Sequence, residues 1–426
     1  MGKPGRRTTS SEEPAMTTIT GSSPLVGTRR LNAEVVLRRA WWAEAVTASD
    51  LIGSTGLTRS TVISLCDELI ERGWLTVLPD ARATGEQRAG RPARRYALAS
   101  SAAHVMGVDA GRHQVTCIIA DLRGRPVARL VRRVDPDGSG EDRRAAVSRI
   151  VDEVLAQASM GDADVLAVTI GVPAPADARG RSPREVDGDF WERVNPDYAG
   201  LLSRRGWAVV VENDANLAAV AEAAVLARSS TDPAEAHRPR GSFIALLAGE
   251  RFGAGFVLDG ALVRGSRGAA GEMRLLDLVQ GVGSADGLGA ILRDGARAAR
   301  TLGTLPPSSP LASAPSADLD AQAVLSAADA GDAGALAIVE DAAERFARVC
   351  AVLGGMLDVD RIVVAGAVAP SIDLLLERTR EWLARFTHRE APVVVASTLG
   401  DAVVTLGAVE RALTHVREHA LDLPTR

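Results

Sequence analysis

The chain has 426 residues, of which 46% are hydrophobic and 24% charged, a globular balance with room for two or three domains. No apolar run approaches the ~20 residues that a bilayer-spanning helix needs, and no apolar leader is visible, so a cytoplasmic location without membrane attachment is expected. The net charge is −5, divided unevenly: residues 1–100 carry 14 Lys+Arg against 10 Asp+Glu, which leaves the remainder at −9. A basic N-terminal part on an acidic body fits a nucleic-acid-reading module joined to a separate sensor.

Residues 1–27 are rich in Ser, Thr, Gly and Pro without periodicity, and a disordered tail is expected there. Arg29 to Ala45 reads as a first helix. Thr47 to Gly73 reads as two helices joined at Gly56, with Thr47 and Thr58 as N-caps, because a short hydroxyl can accept an orphan backbone N–H. Val62, Leu65, Cys66, Leu69 and Ile70 form an apolar stripe at helical period. Arg59, Ser60, Thr61 and Ser64 fall on the opposite face. Such side chains at a helix N-terminus can reach base edges and phosphates in a major groove. The pattern is also that of an ordinary helical hairpin.

Two short strands are predicted next, Trp74–Leu78 and Tyr96–Ala99, separated by an Arg-rich stretch that includes Arg82, Arg88, Arg91, Arg94 and Arg95. A two-stranded wing with a basic tip can follow phosphates or enter a minor groove, although a solvated loop has the same composition. Helical hairpin, wing and charge together predict a winged helix-turn-helix over residues 29–99.

From about residue 100 strands and helices alternate. Strands are predicted at Val105–Asp109, Gln114–Asp121, Val127–Val134, Val165–Gly171 and Ala208–Glu212, with helices at Arg143–Ser159 and from Asn213 to Leu226. The order then recurs, with strands at Ser242–Ala248, Gly253–Leu258, Ala261–Arg264, Arg361–Ala365 and Val393–Ala396, and helices near 286–301, 334–357, 371–385 and 401–418. Ser229–Gly241 and Leu305–Asp318 read as linkers. Two halves that each open on a three-stranded meander predict a duplicated α/β body around a cleft. Ligands in such sheets sit beyond the carboxyl ends of the strands, where Asp109, Asp214 and Gly249 fall. The cysteines Cys66, Cys117 and Cys350 are isolated in apolar contexts, as buried thiols are.

Residues 29–418 resemble a ROK-family transcriptional regulator. The resemblance rests on the wing motif Gly90-Arg91-Pro92-Ala93, on Gly107-Val108-Asp109-Ala110-Gly111 and on Gly171-Val172-Pro173. Glu212-Asn213-Asp214-Ala215-Asn216 and the segment Gly265 to Glu272 complete it. It implies a two-lobed actin/hexokinase-like (ribonuclease-H-like) fold over residues 104–418 and a homodimer or homotetramer. In the family's kinases the Asp-x-Gly turn, here Asp109 and Gly111, and a second glycine turn, here at Gly249, hold nucleotide phosphates. The Asp matching Asp214 takes the proton of a sugar hydroxyl, and residues matching Asn213 and Glu272 hold the sugar.

The chain departs from that pattern where phosphate would bind. The second turn reads Gly249-Glu250-Arg251. Glu250 brings negative charge to a phosphate position, and Arg251 replaces a glycine needed for close approach. Arg251 could neutralise Glu250 without restoring the space. Kinase activity is therefore expected to be lost, leaving a vestigial phosphate site. The His of the family's Glu-x-Gly-His motif is absent, and no cysteine follows Glu272 up to Leu292, so neither metal nor cofactor is expected. Arg274 is a candidate contact for an anionic sugar derivative, and a second sugar-binding Glu of the family aligns with Gly289.

The expected function is a DNA-binding transcriptional regulator, acting as a repressor on a double-stranded operator through Arg59, Ser60, Thr61, Ser64 and Arg91. Its effector would be a sugar or sugar derivative held by Asn213, Asp214, Glu272 and Arg274. Two alternatives stay open: an active sugar kinase with an appended DNA-binding domain, and a regulator controlled by a protein partner.

Overall fold

A computed structural model describes residues 24–79, 94–185, 188–228, 241–388 and 390–423. The chain divides into two compact units, Met1–Leu98 and Ala99–Arg426. Among the described residues no helix is long and apolar enough to cross a membrane.

Among the described residues the first unit has the helices α1 (Pro24–Trp42), α2 (Ala48–Thr55) and α3 (Arg59–Glu71). Three short strands complete it: β1 (Val46–Thr47), β2 (Leu75–Leu78) and β3 (Arg95–Leu98). Helix α1 begins inside the segment expected to be a tail. Thr47 caps α2 in a reciprocal box with Asp50, and Thr58 caps α3 by accepting from the Thr61 N–H. Gly56 ends α2 at φ 70°, a left-handed conformation that costs a residue without Cβ little. Val62, Leu65, Cys66 and Leu69 are fully buried where α3 packs on α1 and β2, and Val36, Leu37, Trp41 and Trp74 are buried too. Burying each such aliphatic side chain contributes ~1.5–3 kcal/mol. The antiparallel sheet has the order β1-β3-β2; β1, two residues long, was not visible in the sequence. The unit thus holds two helices joined at a tight turn and a short antiparallel sheet, elements that a winged helix-turn-helix requires. The wing tip, residues 80–93, lies outside the described residues.

The second unit is built twice on one plan. In lobe A, β4 (His104–Ala110), β5 (Gln114–Asp121) and β6 (Pro126–Arg133) form the meander. Then follow α4 (Gly140–Gln157), β7 (Val165–Val172), α5 (Phe190–Val194), α6 (Tyr198–Ser203), β8 (Ala208–Asn213) and α7 (Asp214–Arg228). Lobe B repeats the meander as β9 (Phe243–Ala248), β10 (Phe252–Leu258) and β11 (Ala261–Val263). It continues with α8 (Leu288–Thr301), α9 (Pro310–Ser313), α10 (Ala321–Asp329), α11 (Ala333–Leu357), β12 (Arg361–Ala365), α12 (Asp373–Phe386), β13 (Val393–Ala396) and α13 (Val403–His419). The sheets run β6-β5-β4-β7-β8 and β11-β10-β9-β12-β13, the same order once the numbering is offset.

Both sheets are covered on both faces, so their central strands are apolar without alternation. In β9, Ile244, Leu246 and Ala248 enter the core with α11, while Phe243 and Ala245 face α7. Helix α7, the continuation of lobe A, packs on lobe B; α13, the last helix, packs back on β4 and β7 of lobe A. They cross where a Cβ at Gly407 would lie 1.9 Å from the Leu217 carbonyl oxygen. The segment 305–318, expected to be a linker, is instead packed: Leu305 and Leu311 are buried and α9 lies within it. Its Pro and Ser are helix-start residues, Ser309 capping α9 with Pro310 at its first position. The other expected linker, residues 229–240, lies outside the described residues.

Candidate functional site

On α3 the first turn holds no acid. Arg59, Ser60 and Ser64 are exposed and Thr61 is half-buried. The Thr58 hydroxyl lies 2.8 Å from Thr61 Oγ1 and 3.1 Å from Ser60 Oγ, so the cap also orders the hydroxyls beside it. Further along, the exposed groove on this helix is lined by Ile63, Ser64, Asp67, Glu68 and Glu71. Flanking arginines answer two of these acids. Arg29 of α1 donates to Ser64 Oγ and Glu68 Oε2, each at 3.0 Å. Arg94 lies 2.7 Å from Asp67 Oδ1 and over the Tyr96 ring, 5.2 Å from its centroid. Arg91 falls outside the described residues.

In the second unit the parallel strands β4, β7 and β8 bring their carboxyl ends to one edge of the sheet, where a cleft is expected. Asp109 is the penultimate residue of β4, and Asp214 opens α7. Burial pushes the Asp109 carboxyl up to about 7. Asp214 is pushed up to about 8, first by burial, then by the Asp109 charge and more weakly by Glu272. Like charges in a poorly solvated site resist joint ionisation, so near neutral pH this pair is partly protonated and can donate as well as accept. Glu272 enters from lobe B, where its backbone bridges to Gly253 of β10. Its carboxyl is raised by burial and by Glu185, against the opposing pull of Arg251.

The Asn213 side chain is already engaged on both sides: Nδ2 donates to the Ala174 carbonyl at 3.3 Å, and Oδ1 accepts from the Asn216 N–H at 3.1 Å. It therefore caps the start of α7 and ties β8 to the chain beyond β7. Behind it, buried Glu212 accepts from Asn216 Nδ2 at 2.9 Å and from Arg264 Nε at 2.6 Å.

The turn between β9 and β10 packs on the start of α8. Gly287 N donates to the Glu250 carbonyl at 3.0 Å and Ala290 N to the Gly249 carbonyl at 3.3 Å. Two N–H groups at this helix start, of the kind that could hold an anion, are thus bonded to the turn. The Glu250 carboxylate lies 2.5 Å from Arg293 Nη1. Arg293, which also pairs with Asp294, is raised in consequence. Glu250 is thus neutralised by Arg293 and not by Arg251, which lies 3.8 Å from Asp286 instead. Sequence adjacency misled here, because successive residues on either side of a strand start point apart.

Residues 105–415 match the ROK family. The chain belongs to that family. It is 31% identical over 260 residues to a protein of Brucella melitensis named bifunctional enzyme NanE/NanK, a match over 56% of this chain and 45% of that one. A xylose repressor of Caldicellulosiruptor bescii is 20% identical over 245 residues, 58% of each chain. The ROK chain thus spans about half the length of these relatives. A solved ROK family transcriptional regulator, described as a homolog of the E. coli MLC protein, matches with a TM-score of 0.69 at 17% identity. That match covers 91% of this chain and 96% of that one. At this identity the likeness is one of fold, yet its coverage exceeds what the body alone supplies, so it takes in the N-terminal unit.

Set on this ROK fold, two of the predicted site residues, Asp109 and Glu272, act electrostatically on a third, Asp214, and Asn213 precedes it in the chain. Gly111 lies beside them: a Cβ there would sit 3.6 Å from Asp109 Oδ1. Arg274 does not join them. It is exposed on a short 3-10 turn at Met273–Leu278, and Arg251 is the guanidinium whose charge acts on Glu272. Gly289 lies on the phosphate-turn side, where its Cβ would meet the Gly249 carbonyl at 2.9 Å. The residues that sequence reasoning passed over are Glu212, Arg264 and Glu185. Glu212 was signalled: a Glu closing a buried strand needs a partner.

Proposed function

We propose that this ROK protein is a DNA-binding transcriptional regulator, a repressor, whose body senses a carbohydrate effector between Asp109, Asp214 and Glu272. The observation that carries the reading is the exposed, acid-free first half of α3, displayed by a helix-turn-helix unit that precedes the kinase-like body. Arg59, Ser60, Thr61 and Ser64 would face base edges, and Arg91 a phosphate. A homodimer would bring two such units to two half-sites. The effector is taken to be a neutral sugar: Asp109, Asp214 and Glu272 are acidic side chains, and Arg251, the one arginine that acts on Glu272, is offset by Glu185. Pairs of partly protonated carboxyls suit hydroxyl groups, which both donate and accept.

The reading as an active sugar kinase draws on the retained Asp214 and on the NanE/NanK relative. Against it stand the Gly287 and Ala290 N–H groups, already bonded to the Gly249-Glu250 turn, and the Glu250 carboxylate that the turn carries.

The test is selection of DNA from a random duplex pool by the purified chain, followed by fluorescence anisotropy with and without D-xylose or D-glucose. Enrichment of a paired motif whose binding weakens with one of these sugars is the expected result. Failure to enrich any sequence at low salt would remove the reading.

A further inference from the structure

Glu212 lies in lobe A at the end of β8, and Arg264 lies in lobe B just after β11. Their ion pair, 2.6 Å from Nε to Oε2, joins a carboxylate side chain that is 4% exposed to a guanidinium that is 39% exposed. The other Glu212 oxygen accepts from Asn216 Nδ2 and from the Asn213 N–H, at 2.9 and 3.2 Å. One buried carboxylate thus holds the segment that carries Asn213 and Asp214, and reaches across to lobe B.

Arg264 opens the glycine-rich loop 265–271 that leads to Glu272. The loop is closed on itself by Ala270 N donating to the Arg264 carbonyl at 3.2 Å. It is seated on lobe A where a Cβ at Gly268 would fall 1.9 Å from the Ala176 carbonyl oxygen. Its far end returns to β10, with Ala254 N donating to the Gly271 carbonyl at 3.2 Å. Arg264 therefore fixes the near end of the loop whose far end presents Glu272 to the cleft.

We infer that Glu212 and Arg264 are the positioning pair of the effector site: their contact sets Glu272 of lobe B against Asp214 of lobe A. The inference rests on the reading of the cleft as a carbohydrate site. A charged, hydrogen-bonded pair with one buried member has a defined geometry that a neutral pair lacks. A site assembled from two lobes binds only as well as their mutual placement allows.

Glu212→Gln, Arg264→Gln and Arg264→Lys test this in the full chain. Calorimetric titration with D-xylose and D-glucose gives the Kd, and hydrogen exchange of the peptide spanning 264–272 reports the loop without any sugar. Both Gln variants are expected to speed exchange at the Ala270 amide severalfold and to weaken the sugar Kd about tenfold, with Arg264→Lys in between. In a Glu272→Gln background, Glu212→Gln is expected to change the Kd less than twofold, since there is no Glu272 left to misplace. Arg264, being partly exposed, keeps the test open if the Glu212 variant does not fold. Wild-type exchange in the Arg264→Gln loop overturns the pair as a clasp. An undiminished Glu212→Gln effect in the Glu272→Gln background overturns it as a positioning device. Binding of neither sugar by the wild type would sink the carbohydrate reading, while the exchange measurement still decides the clasp.

Discussion

The Arg29 guanidinium lies 2.9 Å from the Glu68 carboxylate, linking α1 to the exposed face of α3. An exposed ion pair of this kind adds only ~0–1 kcal/mol to stability, so its consequence lies in what the helix shows to a polyanion. With Arg29 in place Glu68 is neutralised and Ser64 is held. Arg29→Ala should lower affinity for any duplex and reduce the salt slope of binding by about 1. Glu68→Gln in the same chain should restore part of the affinity by removing the exposed repulsion. Anisotropy titrations from low to moderate salt supply the slope; identical slopes for wild type and Arg29→Ala would take this face away from DNA.

Arg59 stands at the start of α3, beside a cap that orders Ser60 and Thr61. If it reads a base edge, Arg59→Ala should cost ~1–3 kcal/mol on the selected site and relax discrimination at one base position. On unrelated DNA the loss should be smaller. Equal losses on both would make Arg59 a phosphate contact, and no loss on either would exclude it from the interface.

The legible parts of the fold were those with local causes. The caps Thr47 and Thr58, the turn at Gly56 and the doubled meander each follow from residue chemistry within a few positions, and the structure has them where the pattern put them. The strands β5, β12 and β13 match their predicted bounds because each is an apolar run ended by a turn. Partners distant in sequence were not legible. Nothing near Glu250 points to Arg293, 43 positions on, and nothing near Glu212 points to Arg264. Single site residues could be named from the family resemblance, but the repulsion that Asp109 exerts on Asp214 appears only when β4 and β8 are set on either side of β7. Arg274, two residues beyond Glu272, lies exposed on the 3-10 turn that follows it.

The raised carboxyls give a stability signature. In the unfolded chain Asp214 titrates near 3.8, and in the folded chain at about 8. Below the lower value both states are protonated and the group makes no difference. Between the two, the folded state holds a proton that the unfolded state has released, so stability falls as pH rises through this window. Asp214→Asn should remove that decline: its melting temperature should match wild type near pH 4 and exceed it by a growing margin towards pH 8. Asp109→Asn should act over a narrower window, up to about 7, and should also ease Asp214 by removing a neighbouring charge. A margin that does not change with pH would mean that both carboxyls are solvated and ionised.

Phosphoryl transfer provides the sharpest contrast between sensor and kinase. Charge on the transferred group needs donors aimed at it, and here Gly287 and Ala290 N–H groups are bonded to the carbonyls of Glu250 and Gly249, while Arg293 is bonded to Glu250 and Asp294. Glu250→Thr with Arg251→Gly would remove the charge and the bulk from this turn without freeing those N–H groups. Neither wild type nor this double variant is therefore expected to release ADP from ATP in the presence of D-xylose or D-glucose. A coupled assay run beside Asp214→Asn checks this. Turnover in the wild type that vanishes with Asp214→Asn would make the body an enzyme. Turnover gained only by the double variant would place the loss of activity in the Glu250 and Arg251 side chains and not in the packing of the turn against α8.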